Sequence, residues 1–185
     1  MTKTKKMVLT GLLAAIASAI YMFLPEIPIV PGVSYLKIDL SGFPAVVAAV
    51  IIGPWHAIAV ELLRNIIHLS KSTTLGIGEL MNFIVGVAFA LPFAFIRKKF
   101  ASGNRTISYT AASIVACVSA VVLGLAANFA FVPIYFRLMH IPFESAVYIS
   151  FVLGSIPLNI AKGISTAVIT VPILEVLRKT APEFS

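Results

Sequence analysis

The chain has 185 residues, of which 59% are hydrophobic and 11% charged, with a mean hydropathy of +1.03. A soluble domain is about half apolar and a quarter charged, so these values exclude an ordinary soluble protein and predict an integral membrane protein. The net charge of +7 is expected from basic loops on one side of a bilayer and does not indicate a nucleic-acid surface.

The N-terminal lysines Lys3, Lys5 and Lys6 precede an apolar stretch over 8–24. It is longer than the hydrophobic region of a signal peptide and is read as a retained first span. Gly11, Ala15 and Ala19 recur every fourth residue along it. That spacing lets another helix approach closely in lipid, whether a partner's or one of the chain's own.

The segment Pro25 to Val33 places a proline every third residue, which disfavours helix and favours a stiff, extended path. It leads into Tyr35–Leu40, readable as a short strand. Its apolar character predicts a lid over 25–38, folded back across the outer face of the bundle. The apolar run 40–69 contains Gly53-Pro54, a pair that breaks helices, and divides into 40–53 and 54–69. Further spans are expected at 78–96, 107–136 and 146–177.

The charges support the break. With six spans, Lys3, Lys5, Lys6, Arg97, Lys98, Lys99, Arg105, Arg178 and Lys179 fall on one side, and Lys37, Lys71 and Arg137 on the other. The basic side is the cytoplasmic one, so both termini are expected there. The two short spans must thin the bilayer, tilt little or pack inside the bundle. The expected fold class is all-α: an integral membrane six-helix bundle forming a single domain over 1–185, with no room for a soluble ATPase domain.

Polar residues within the spans are few. Lys162 lies in the middle of the last apolar stretch, with Asn159 three residues earlier on the same helix face. A lysine at bilayer depth is costly and faces a cavity or a partner. Glu61, Arg64, Asn65 and His68 share one face of 54–69. They are consistent with a proton or ion pathway, or with an ion pair pinning the short helix to a neighbour. Glu79 and Asn82 sit three apart, and Asn128 lies deep in 107–136.

Singly, these amides suit interhelical hydrogen bonds. Asn82, Asn128, Asn159 and Lys162 together, amid Phe, Leu and Tyr, suit a polyhydroxylated or amide-bearing ligand with an apolar body. No sequence signature of a zinc protease, serine hydrolase or nucleotide-binding P-loop is present. The three histidines are scattered, and Cys117 stands alone in an apolar run, so neither an enzyme, a metal site nor a disulfide framework is expected.

At these residues the chain resembles the substrate-binding (S) components of energy-coupling-factor (ECF) vitamin transporters, and among them the riboflavin-specific type. The resemblance rests on Leu36-Lys37-Ile38-Asp39-Leu40-Ser41 with Pro44, on Glu79 to Gly86 with Asn82-Phe83, and on Asn128 with Pro133-Ile134-Tyr135. Most specific is Ile156-Pro157-Leu158-Asn159-Ile160-Ala161-Lys162-Gly163. It implies an apolar slot for the isoalloxazine ring and polar groups for the ribityl hydroxyls. Asn128, Asn159 and Lys162 would be the hydrogen-bonding contacts, Asn82 would serve the outer mouth, Leu36 and its neighbours would line the lid, and Asp39 would be a further substrate-binding residue. Gly42 departs from the riboflavin type, which often carries a second acid there.

The resemblance further implies a multi-pass protein of the bacterial cell membrane with riboflavin as transported ligand and no cofactor. Gly11, Ala15 and Ala19 would contact a transmembrane coupling subunit, which associates with two separate ATPase subunits. Alternatives are an S component for another vitamin or precursor, such as pantothenate or a nicotinamide-type compound. A small proton-coupled carrier or channel using Glu61, Arg64 and His68, or a membrane assembly factor without a ligand, would belong to other classes.

Overall fold

The computed structural model describes residues 1–28 and 37–181. Among them are six α-helices: α1 (Lys3–Phe23), α2 (Phe43–Ile51), α3 (Pro54–His68), α4 (Ile77–Lys99), α5 (Arg105–Leu138) and α6 (Ser145–Thr180). Two short strands, β1 (Ile27–Pro28) and β2 (Lys37–Ile38), pair antiparallel, with Ile27 opposite Ile38 and Pro28 opposite Lys37. The short strand anticipated near residues 35–40 is therefore present as β2, which lies against α6. Most of the anticipated lid, including Leu36, lies outside the described residues.

Helices α1, α4, α5 and α6 are long and apolar enough to cross a membrane; α2 and α3 are not. At 1.5 Å per residue, α2 and α3 are roughly 14 and 22 Å long, short of the roughly 30 Å hydrocarbon core. Within the expected span 40–53 the helix runs from Phe43 to Ile51, and Asp39 and Ser41 hold the preceding turn in place. Ser41 N–H donates to Asp39 Oδ1 at 3.0 Å, and the Ser41 hydroxyl bonds the same oxygen. The other expected spans lengthen by one to five residues at most ends, where basic and polar residues extend the helices past their apolar centres.

The break at Gly53-Pro54 has a local cause. Gly53 adopts φ +133°, a conformation only glycine accepts readily. Its N–H closes α2 on Ala48 O at 2.9 Å, and Pro54 opens α3 at a position where no N–H is needed. Helix α2 survives its shortness by burial. Pro44 to Ala49 are all buried, and α2 touches α1, α3, α4 and α6. The helices approach through alanines: Ala14, Ala17, Ala45, Ala48, Ala57, Ala90, Ala112, Ala116 and Ala120 are all core residues, and small side chains let backbones close together in lipid. A second apolar cluster joins Val132, Phe136 and Phe151 between α5 and α6.

Candidate functional site

A cavity of about 410 Å³ opens between α1, α3, α4, α5, α6 and the β1–β2 end of the bundle. Its size falls within the roughly 300–1,000 Å³ of small-molecule sites. Asp39, Asn82, Asn128, Asn159 and Lys162 all line it, so five of the six predicted binding residues come together. The sixth, Leu36, lies outside the described residues.

The lining is of two kinds. Met81, Val85, Val132, Tyr135, Phe151 and Leu158 make its apolar part. Phe136 braces it, stacking edge-on to Phe151 with ring centroids 4.9 Å apart. Interleaved with these on the same helices are the amides and charges. The mouth carries Glu26 and Lys37, paired at 3.2 Å, and Lys71, which donates to Met22 O at 2.6 Å and so ties the α3–α4 turn to the end of α1.

Lys162 is the floor. It lies halfway along α6, roughly 26 Å from either end at 1.5 Å per residue. Its Nζ contacts Asp39 Oδ2 at 2.5 Å and donates to Asn82 Oδ1. An ammonium has three donors, so one remains for the cavity. Asn159, one turn earlier, is 5% exposed and its side chain makes no hydrogen bond among the described residues, although it lines the cavity. Its closeness to α5 depends on Gly124, where a Cβ would lie 2.2 Å from Asn159 Nδ2. Asn128 Nδ2 donates to Gly124 O at 2.8 Å, which leaves its carbonyl oxygen as an acceptor.

Behind this floor is a closed ring of polar contacts. Asp39 Oδ1 pairs with Arg64 Nη1 at 3.2 Å, and Arg64 Nη2 with Glu61 Oε2 at 2.6 Å. Asn65 Nδ2 donates to Glu61 O at 2.8 Å, and Asn82 Nδ2 to Asn65 Oδ1 at 3.1 Å. Asn82 and Asp39 then meet at Lys162. Asp39, Glu61 and Arg64 are all buried, and two carboxylates balance two cations. Burial pushes the Asp39 carboxyl up, but the Lys162 ammonium and the Arg64 guanidinium outweigh it and hold it below the usual carboxylate range.

The ion-pair reading of Glu61 and Arg64 thus describes their geometry, with Asp39 added as the acid that spacing within 54–69 could not reveal. His68 does not join the ring. It stacks on Tyr21 with centroids 3.5 Å apart, and its Nδ1 lies 3.0 Å from Glu79 Oε1. Glu79 Oε2 accepts from the Ser72 and Thr74 hydroxyls at 2.8 and 3.2 Å, which fastens the α3–α4 turn.

Tyr135, part of the quoted Pro133-Ile134-Tyr135 motif, also lines the cavity, as do Tyr21, Ser155 and Phe151, which were not singled out from sequence. Aromatic residues are common throughout the chain and nothing in their spacing sets these apart. Gly11, Ala15 and Ala19 lie elsewhere, on the exposed side of α1, whereas Ala14, Ala17, Ser18 and Tyr21 are buried against the bundle.

Known proteins resemble this chain in sequence and in fold. The family model "ECF transporter, substrate-specific component" matches residues 5–174. The riboflavin transporter FmnP of Bacillus subtilis is 33% identical over 173 residues, covering 90% of this chain and 88% of that protein. The riboflavin transporter RibU of Staphylococcus aureus is 31% identical over 172 residues, covering 91% and 88%.

The fold also matches a solved S component of a bacterial ECF transporter, with a TM-score of 0.77 at 24% identity over 96% of this chain and 98% of that one. ThiT from Listeria monocytogenes matches with a TM-score of 0.61 at 20% identity over 98% and 97%. The chain belongs to the family of substrate-specific components of ECF transporters. It is a membrane transport component, not an enzyme.

Proposed function

We propose that this chain binds riboflavin in the 410 Å³ cavity and serves as the riboflavin-specific subunit of an ECF importer. The observation that carries this reading is the unpartnered amide of Asn159 beside the spare donor of Lys162, both lining a cavity that also has aromatic and aliphatic lining. The isoalloxazine ring lies against Val132, Tyr135 and Phe151. The ribityl hydroxyls reach Asn128, Asn159 and Lys162. Asn82 and Asp39 hold Lys162 in place, and Leu36 belongs to the segment that closes over the ligand. The two similar riboflavin transporters, each 31–33% identical over about nine-tenths of the chain, support this choice of vitamin over pantothenate or a nicotinamide-type compound.

In this reading residues 1–185 form one bundle that crosses the membrane six times, with α2 and α3 as a broken pair. Both termini are cytoplasmic, in a bacterial cell membrane, because the basic helix ends gather on one side. Ligand enters from outside at the Glu26–Lys37 mouth. The exposed Gly11, Ala15 and Ala19 face takes the transmembrane coupling subunit, and two ATPase subunits supply the energy. Net transport requires affinity to differ between the outward and inward states.

The test is a fluorescence titration of detergent-purified protein with riboflavin. Saturable flavin quenching is expected, and Lys162→Ala and Asn159→Ala should each weaken it by about 1–3 kcal/mol, the cost of a lost buried polar contact, or roughly 5- to 150-fold. Folded protein that gives no quenching rules out riboflavin and leaves another vitamin as the ligand.

A further inference from the structure

At the opposite end of the bundle, where α2 turns into α3, lies a second and larger cavity of about 720 Å³. We propose that it binds an anionic phospholipid, with the phosphate held by Arg97, Lys98 and Arg178 and an acyl chain lying along Ile52, Leu91 and Leu177.

The lining is apolar except at one rim, where these three cations project from the ends of α4 and α6. No acidic side chain lines the cavity, and Glu175, one turn before Arg178, forms no ion pair among the described residues. The Nε atoms of Arg97 and Arg178 are buried without a hydrogen-bond partner. A buried donor left unpaired is costly, and neither guanidinium has an ion-pair or side-chain hydrogen-bond partner among the described residues, although Glu175 Oε1 is likewise buried and unpaired. The Arg97 guanidinium lies 4.6 Å from the centroid of the Tyr109 ring, a cation–π contact between two lining residues.

The surroundings favour lipid over a soluble anion or an acidic peptide. Trp55, which follows the lining residue Pro54 in the first turn of α3, is 79% exposed, and tryptophan is enriched at the headgroup level of a bilayer. Basic pockets between helices on the cytoplasmic side, next to the anionic leaflet, suit acidic headgroups. A free phosphate would leave the apolar lining empty. A phospholipid satisfies both parts at once.

The test is native mass spectrometry of the full chain in detergent with equimolar phosphatidylglycerol and phosphatidylcholine, together with thermal unfolding in each lipid. Wild type should retain phosphatidylglycerol about ten times more than phosphatidylcholine, and saturating phosphatidylglycerol should raise the unfolding midpoint by about 5 °C. Arg97→Gln/Arg178→Gln should bring the ratio near one while keeping wild-type helicity by circular dichroism. Lys3→Gln/Lys6→Gln, outside the lining, should keep the preference.

If the double variant does not fold, Lys98→Gln, at an exposed position, should still reduce the ratio about threefold. Equal retention of the two lipids by wild type, which is also what an acidic partner helix as the true occupant predicts, would overturn the proposal. So would a preference unchanged in the folded double variant, one lost on changing Lys3 and Lys6, or displacement of the lipid by excess inorganic phosphate.

Discussion

Gly124→Ala is the smallest change that reaches the ligand site without touching a ligand-binding side chain. A Cβ at this position falls 2.2 Å from Asn159 Nδ2 and 3.1 Å from both Asn159 Cγ and Val85 Cγ2. Carbon contacts are favourable only from about 3.5 Å, so the Asn159 amide must retreat by more than roughly 1 Å. Overpacking of this kind costs about 1–3 kcal/mol, while alanine gains about 1 kcal/mol over glycine within a helix. Stability should therefore fall by only about 0–2 kcal/mol.

Ligand affinity should fall further, by about 1–3 kcal/mol, because a buried polar contact is lost; that is roughly 5- to 150-fold in Kd. Flavin quenching and thermal unfolding measured on the same preparations separate the two effects. Gly11→Ala is the control: nothing lies within 4 Å of its Cβ, and binding should be unchanged. In an Asn159→Ala background, Gly124→Ala should cost almost no further affinity, since contacting residues are not additive. Wild-type affinity in folded Gly124→Ala, or full additivity with Asn159→Ala, would refute the role given to this close approach.

Arg64→Met strands the buried Glu61 carboxylate and halves the support of Asp39. Removing one partner of a buried ion pair costs about 3–5 kcal/mol, readable as a large drop in the unfolding midpoint. Glu61→Leu/Arg64→Met should recover most of it, because an apolar pair replaces the ionic one. Ala15→Phe should leave flavin quenching unchanged, since Ala15 is exposed on α1, and should impair co-purification with the coupling subunit and uptake in cells; loss of binding as well would indicate misfolding instead.

Relations within one helix were legible in the sequence, and relations between helices were not. Asn159 and Lys162, three residues apart, were bound to share a face, and Gly53-Pro54 announced the α2–α3 break through backbone chemistry alone. The helix ends ran past the apolar stretches because hydropathy marks where lipid begins, not where backbone hydrogen bonding stops. The partnership of Asp39 with both Lys162 and Arg64, and the Asn65–Asn82 bridge, depend on how four segments pack. No spacing rule reports that. Gly86 and Gly124 looked like ordinary glycines of membrane helices. Their significance comes from Glu61 and Asn159 on other helices, whose side chains occupy the space where a Cβ would stand.

The two cavities also constrain how a ligand could pass. Along α4, Asn82 and Val85 belong to the ligand cavity and Leu91, Ala94 and Arg97 to the basic one. Between them stand Phe89 and Ala90, with Phe93 just beyond Leu91, at 4%, 0% and 0% exposure. Along α6, Thr166 and Thr170 separate Lys162 from Leu174 in the same way, and both are buried. Opening a passage between the cavities would unpack two core phenylalanines, each worth about 3–5 kcal/mol when removed. It would also part the alanine contacts that hold α2 against its neighbours. A path that leaves this plug intact avoids that cost: the bundle moves as a body and presents the same cavity to the other side. In the proposed reading the contact with the coupling subunit lies on the outside of the bundle, where Gly11, Ala15 and Ala19 of α1 are exposed. By fastening the turn at Asp39 to α3, α4 and α6, the ring behind Lys162 holds the floor of the cavity together.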